Sequence, residues 1–320
     1  MALEPALRND LIELLAANFN PNEVNELGIL ILGSFDSNKV SGMTNHISLS
    51  SRKSAKLLVD RCELGGQLPA LLKLVVEVDD SVMHGRSVRV DVLETFLGKL
   101  LKAGIVYDFK TRRIINSCND PGDLVNWGCL KEGREYETAI ISLDIANNST
   151  LVRKHGLRKM ERLYFTLWGF LRDKLAVTDG RIWSWAGDGG IIAFALKDST
   201  RRAVRFAIEV QTSIPVFNLI SALDSHADVA LRIGIDSGKV RFNGDTGKIV
   251  SDVINYAAHL EKKSTEPGCI SLSRAVYDTL PKRLATLFHF EGIFEEKDFF
   301  TTLRRLDGLL LDDESKERFA

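Results

Sequence analysis

Residues 142–145, SLDI, and residues 185–190, WAGDGG, decide how this chain reads. Each places an aspartate, Asp144 or Asp188, directly after an apolar run of strand character: YETAIISLDI over 136–145 and RIWSWAG over 181–187. Asp144 leads into a small polar loop and Asp188 into Gly189-Gly190, so each sits where a strand ends. Carboxylates presented from neighbouring strand ends can hold a hard divalent cation against phosphate oxygens. That arrangement points to nucleotide chemistry.

Outward from this pair, the pattern alternates strand and helix. A long amphipathic helix is expected from Ser149 to about Leu175. RIWSWAG and GIIAFAL flank Asp188-Gly189-Gly190 as a hairpin with its turn on those three residues. Asp198 is expected to cap a helix whose Ala203, Phe206, Ala207 and Val210 share a face, and DVALRIGID over 228–236 is a fourth strand. The order β-α-β-β-α-β is the ferredoxin-like arrangement, an α+β fold, and it sets the hairpin beside the first strand. Asp144 and Asp188 are thereby brought together across 44 positions of sequence. A turn-rich GKVRFNGDTGK over 238–248, a helix from Asp252 to about Lys262, a short strand CISLS and a helix from near Ser273 complete the pattern.

Upstream the character changes. Leu7, Leu11, Leu14 and Leu15 recur at helical spacing, and NPNEV restarts a helix with Asn20 as cap, Pro21 in the first turn and Glu23 at the capping-box position. SRKSAKLLVDRCEL and LPALLKLVVEV add two more, so residues 1–78 read as a small all-α bundle. Residues 79–135 read as a connector with one amphipathic helix, VDVLETFLGKLLKAG, free to pack on either side. The tail, 306–320, is charged.

Composition narrows the classes. The net charge of −1 supplies no global field toward nucleic acid or an acidic membrane, so phosphate affinity must be local. No apolar stretch approaches the ~20 residues of a spanning helix, and the N-terminus is acidic and amphipathic, which together predict a cytoplasmic protein without stable membrane insertion. Cys62, Cys118, Cys129 and Cys269 lack CxxC spacing and read as reduced thiols.

Four motifs, SLDI, WAGDGGIIAF, LRIGIDSGKV and DVINYAAHLE, stand in the order and spacing of the class III nucleotidyl cyclases, and residues 136–305 resemble that family's catalytic domain. The resemblance implies two divalent cations, Mn²⁺ or Mg²⁺, held by Asp144, Asp188 and the backbone carbonyl of Ile145. It implies attack of a ribose 3′-hydroxyl on the α-phosphate with release of pyrophosphate. Backbone N–H groups of the loop through Asn148 and Ser149, leading into a helix N-terminus, suit phosphate oxygens. Asn255 matches the residue that orients the ribose.

Two departures from the family follow. His259 stands where the family has an arginine, which implies a slow enzyme, a substitute donor or an inactive one; Arg241 or Lys248 could supply the missing charge. The base-selecting positions hold Ser184 and Lys248, which is neither the adenine nor the guanine pattern. Trp183 and Trp185 flank Ser184 and are expected on one face by strand alternation, as core or dimer contacts.

These departures favour a pyrimidine nucleotide, UTP or CTP, and the chain resembles the pyrimidine cyclases of bacterial antiphage defence, the Pycsar system. An adenylate or guanylate cyclase with atypical base contacts, or a non-catalytic nucleotide sensor, are the alternatives. LRNDLIELLAANFNPNEV and KSAKLLVDRCELGGQLPALLKLV resemble effector-associated, death-like modules that recruit partners through helices. The family resemblance further implies a homodimer whose sites take Asp144 and Asp188 from one chain and Ser184, Asn255 and His259 from the other.

Overall fold

The computed structural model describes residues 2–42, 49–83, 85–116, 124–221 and 229–307. The chain divides into two compact units, one of Met1–Pro121 with Asn126–Leu130 and one of Gly122–Val125 with Lys131–Ala320. Cys118 and the tail from Gly308 lie outside the described residues.

The first unit opens with helices α1 (Pro5–Asn18), α2 (Pro21–Leu32), α3 (Ser37–Ser41), α4 (Ser51–Leu64) and α5 (Leu68–Val78). Asn20 caps α2 in a complete capping box: its side chain accepts from the Glu23 backbone N–H, and the Glu23 carboxylate accepts from the Asn20 backbone N–H. Leu11, Leu15, Leu27, Leu58, Leu71 and Leu72 are buried, and Arg8 of α1 reaches Asp60 and Glu63 of α4. The unit continues through β1 (Val82–Met83), β2 (Arg86–Ser87), α6 (Leu93–Lys102), β3 (Ile105–Asp108) and β4 (Arg113–Asn116), with β1–β2 and β3–β4 as two antiparallel pairs. Most of the stretch 79–135, expected as a connector, therefore belongs to this unit.

The second unit holds β5 (Glu135–Ile145), α7 (Asn148–His155), α8 (Leu157–Thr178), β6 (Arg181–Ala186), β7 (Gly189–Ala195), α9 (Ser199–Ile220), β8 (Leu231–Arg241), α10 (Asp252–Ser264), β9 (Ile270–Ser273), α11 (Arg274–Tyr277), α12 (Lys282–Ala285), β10 (Phe288–Phe294) and β11 (Lys297–Thr302). Its seven-stranded sheet runs β10-β11-β9-β8-β5-β7-β6. The inner order β8-β5-β7-β6 is the ferredoxin-like one, and α8 and α9 close one face of the sheet. Leu163, Leu167 and Leu171 of α8 and Phe206, Val210 and Ile214 of α9 pack there on Ile141, Leu143, Ile192, Ile233 and Ile235. Helix α10 lies on the opposite face, where Tyr256 and Leu260 meet Phe299.

Several local expectations change. The long helix breaks into α7 and α8 at Gly156, whose φ of 81° favours glycine. The hairpin turn is Gly187-Asp188, with Gly189 and Gly190 already in β7. Asp198 precedes α9 but makes no capping bond; its carboxylate pairs with Arg201 instead. GKVR is not turn but the end of β8, register-paired with β5 out to Arg241 opposite Glu135. The β10–β11 hairpin was not anticipated.

Trp183 and Trp185 do not share a face. A bulge between Ile182 and Ser184 makes Trp183 an extra residue in β6, which breaks the two-residue alternation. Trp185 packs with the helix-side core. Trp183 is buried against Phe242 and donates through Nε1 to the Val125 carbonyl at 3.0 Å. Arg181 Nε likewise donates to the Leu124 carbonyl at 3.0 Å, so residues 124–125 are fastened to β6, the edge of the sheet.

Candidate active site

The register of three strands builds the site. Asp144, at the end of β5, stands opposite Gly189 of β7 on one side and Arg232 of β8 on the other. The turn residue Asp188 accepts the Ile145 N–H through its backbone carbonyl at 3.2 Å, and its side chain comes within hydrogen-bonding reach of Asp144. Gly189 makes the approach possible: a Cβ there would fall 2.3 Å from the Leu143 carbonyl oxygen and 3.0 Å from the Asp144 Cα.

Two carboxylates so close repel one another. Burial, and after it the Asp188 charge, pushes the Asp144 carboxyl above the usual carboxylate range, while Arg232 pulls it back. Arg232 Nη2 donates to Asp144 Oδ2 at 2.9 Å, and Arg232 Nε lies 3.1 Å from Glu261 Oε1 of α10. The Glu261 side chain is only 7% exposed. Burial, and then Asp144, raises its carboxyl to about 7.

The carboxylate pair is an oxygen donor set of the kind hard cations prefer. Among the described residues no group of three or more His, Cys, Asp or Glu side chains converges as a metal cage. Two carboxylates leave the remaining positions to backbone carbonyl, water and phosphate oxygens, which suits a magnesium-type ion that keeps much of its hydration. The excess negative charge, raised Asp144 carboxyl and hard donors fit a divalent cation at Asp144 and Asp188.

The loop after β5 enters α7 with Asn147 in the left-handed region and no capping side chain on the first turn. Asn148 Oδ1 accepts the Tyr164 hydroxyl at 2.7 Å, and Ser149 is exposed beside it. Tyr164 is held above its ordinary pKa first by burial, with the Asn148 hydrogen bond lowering it and the charges of Asp188 and Asp144 adding to the rise.

Asn255 and His259 are exposed one turn apart on α10. Glu261 lies about 200° around the helix from His259 and faces the sheet. Within one chain, therefore, Asn255 and His259 do not converge on Asp144. His259 Nδ1 is 2.8 Å from Glu295 Oε1, which leaves Nε2 as the ring nitrogen for any other partner.

The segments carrying Ser184 and Lys248 are joined by one hydrogen bond between their neighbours. The turn Thr246–Lys248 reaches β6 through Thr246 Oγ1, which donates to the Trp183 carbonyl at 2.5 Å, one residue from the exposed Ser184. Lys248 pairs with Asp245 at 2.7 Å. Arg241 pairs with Glu135 at the end of the β5–β8 ladder remote from Asp144.

Sequence reasoning missed Arg232, Glu261 and Tyr164. An arginine on a strand and a glutamate late in a helix read as solvated; only the antiparallel register of β5 and β8 sets Arg232 opposite Asp144.

Among solved structures, adenylate and guanylate cyclase domains resemble this chain. The guanylyl cyclase domain of the RhoGC fusion protein from the aquatic fungus Blastocladiella emersonii, in a non-canonical dimeric form, is 21% identical, with a TM-score of 0.46, over 55% of this chain and 99% of that one. The guanylate cyclase domain of RhGC from Catenaria anguillulae, in complex with GTP, is 19% identical with a TM-score of 0.45, over 54% and 99%. An adenylate/guanylate cyclase/hydrolase from Silicibacter pomeroyi is 25% identical with a TM-score of 0.45, over 53% and 98%. No family model and no curated protein matches the chain.

Proposed function

We propose that this protein is a nucleotide cyclase that closes a pyrimidine nucleoside triphosphate, UTP or CTP, to its 3′,5′-cyclic monophosphate with release of pyrophosphate. The observation that carries the proposal is the Asp144–Asp188 pair, set side by side by β5, β7 and the Gly187-Asp188 turn, with Arg232 against it. Cations held there would neutralise the triphosphate and make the ribose 3′-hydroxyl a better nucleophile.

The chain's own residues do the rest. Arg232 brings a guanidinium to the phosphate side of the pair, and the uncapped first turn of α7 at Asn148 and Ser149 offers N–H groups to phosphate oxygens. Asn255 and His259, displayed outward on α10, serve the site of a second copy, where Asn255 orients the ribose and His259 Nε2 donates to the α-phosphate. Ser184 and the Lys248 turn form the base-reading edge. Their hydrogen-bonding groups match neither purine pattern, and this favours the smaller base.

The helices of the first unit are read as a partner-recruiting module, and the cyclic product as an alarm signal in antiphage defence. Incubating the full chain with Mn²⁺ and each of the four ribonucleoside triphosphates, then identifying products by mass spectrometry, tests the proposal. Cyclic UMP or cyclic CMP is expected. Cyclic AMP or cyclic GMP as the main product overturns the pyrimidine reading and keeps the cyclase. A second reading, a nucleotide sensor without turnover, is favoured by the engagement of His259 with Glu295 and predicts binding without pyrophosphate release.

A further inference from the structure

Glu261 has no place in the chemistry above, yet it is a carboxylate buried on the underside of α10 within 3.1 Å of Arg232. Its position is built rather than incidental. Gly234, two residues along β8 from Arg232 and on the same face, lets α10 settle on the sheet. A Cβ at Gly234 would lie 2.4 Å from the Ala257 carbonyl oxygen, 2.6 Å from the Glu261 nitrogen and 2.9 Å from the Glu261 Cβ. The close seat brings the Glu261 carboxylate to Arg232 Nε while Arg232 Nη2 stays on Asp144.

An arginine bonded to a metal-ligating carboxylate competes with the metal. Arg232 with Asp144 as its sole anchor would have to surrender its ion pair whenever a cation took Asp144. With Glu261 Oε1 3.1 Å from Nε, an ion pair without hydrogen-bond alignment, the guanidinium keeps a second carboxylate beside it after Asp144 turns to the cation. We infer that Glu261 is a positioning residue that holds Arg232 so that Asp144 can be released to a divalent cation. The inference rests on the cyclase reading for its metal site, and it assigns Glu261 no contact with substrate.

The same helix displays Asn255 and His259 on its outer side. The seat of α10 over Gly234 and Glu261 is thus shared between the carboxylate pair of its own chain and whatever Asn255 and His259 serve.

Mn²⁺ binding to the 320-residue chain, followed by electron paramagnetic resonance without nucleotide, tests this apart from catalysis. Partners that orient a metal ligand typically change affinity by about 10–100-fold when removed, so Glu261→Gln is expected to weaken Mn²⁺ binding about tenfold. Glu261→Asp separates positioning from charge. It keeps the negative charge but shortens the arm by one methylene, so it is expected to bind Mn²⁺ as poorly as Glu261→Gln. In an Arg232→Gln background, Glu261→Gln is expected to have no further effect. Thermal melts of each variant establish that it is folded.

Wild-type affinity in Glu261→Asp, an unchanged affinity in Glu261→Gln, or a Glu261→Gln loss that persists without Arg232 would each overturn the inference alone. Wild-type Mn²⁺ binding indifferent to Asp144→Asn would remove the metal site itself, and this inference with it.

Discussion

Asp144 and Arg232 face one another in register on β5 and β8, and their side chains meet at 2.9 Å. The contact joins the candidate metal site to the strand that follows α9 and sets a guanidinium against it. Several consequences can be measured.

Asp144→Asn removes a carboxylate that the metal-free fold holds at a cost. The folded-state pKa is raised, so the penalty is absent at pH values below the ordinary carboxylate range and complete above the raised value. Cation-dependent turnover is expected to fall by at least about 10²–10³-fold. Melting at pH 8 without metal is expected to be equal to or above wild type, read by calorimetry. A large loss of stability at pH 8 would count against this account of Asp144.

Glu261→Gln carries a pH signature. The wild-type carboxyl is raised to about 7, so its destabilising effect is absent below about 4.5, grows between, and is complete above about 7. The variant is expected to match wild type near pH 4.5 and to melt higher at pH 8, by about 2–4 °C for each kcal/mol relieved. Melts across that pH range in the presence of a chelator decide it.

Gly189→Ala is expected to push β7 from β5, since the new Cβ meets the Leu143 carbonyl oxygen at 2.3 Å. Overpacking of this kind costs about 1–3 kcal/mol. Mn²⁺ affinity should fall together with stability, because the same strand spacing sets the distance between Asp144 and Asp188. Urea unfolding and Mn²⁺ titration of the same preparation give both readouts.

Mixing two inactive variants tests the shared site. Asp144→Asn and Asn255→Ala each remove one half of it. In a symmetric dimer, re-association of equal amounts makes half of the dimers mixed, and each mixed dimer carries one intact site. Recovery of about a quarter of wild-type activity is expected. No recovery on re-association would show that one chain supplies both residues.

His259→Arg restores the residue type that the resemblance leads one to expect. A guanidinium keeps a donor for Glu295 and still has others to offer. kcat is expected to rise about tenfold with little change in KM, and His259→Ala is expected to lower it. Steady-state kinetics on the nucleotide identified by the product assay provide the comparison.

Much of the second unit was legible in the sequence because its strands are apolar runs bounded by turn residues, and its helices keep an apolar stripe. The β5-α-β6-β7-α9-β8 order followed from that, and with it the meeting of Asp144 and Asp188. Local backbone chemistry was less legible. Gly156 reads as a tolerated glycine until its positive φ ends a helix. Trp183 reads as one member of an alternation until a bulge inserts it. The polar residues of GKVR conceal a strand whose pairing extends to Glu135. Arg232 and Glu261 could not be paired from sequence at all, because their contact depends on how far α10 sinks toward Gly234, a property of one missing Cβ.

The bulge at Trp183 has a bearing on assembly. It lies in β6, an outermost strand of the sheet, whose Arg181 and Trp183 side chains hold residues 124–125. An edge that is kinked and occupied is a poor template for another sheet's edge. Copies of this chain are thereby steered away from continuous sheet-to-sheet stacking. An edge-to-edge fibre needs both outer strands of the sheet, so closing β6 leaves β10, the opposite outer strand, as the edge at which another strand can add.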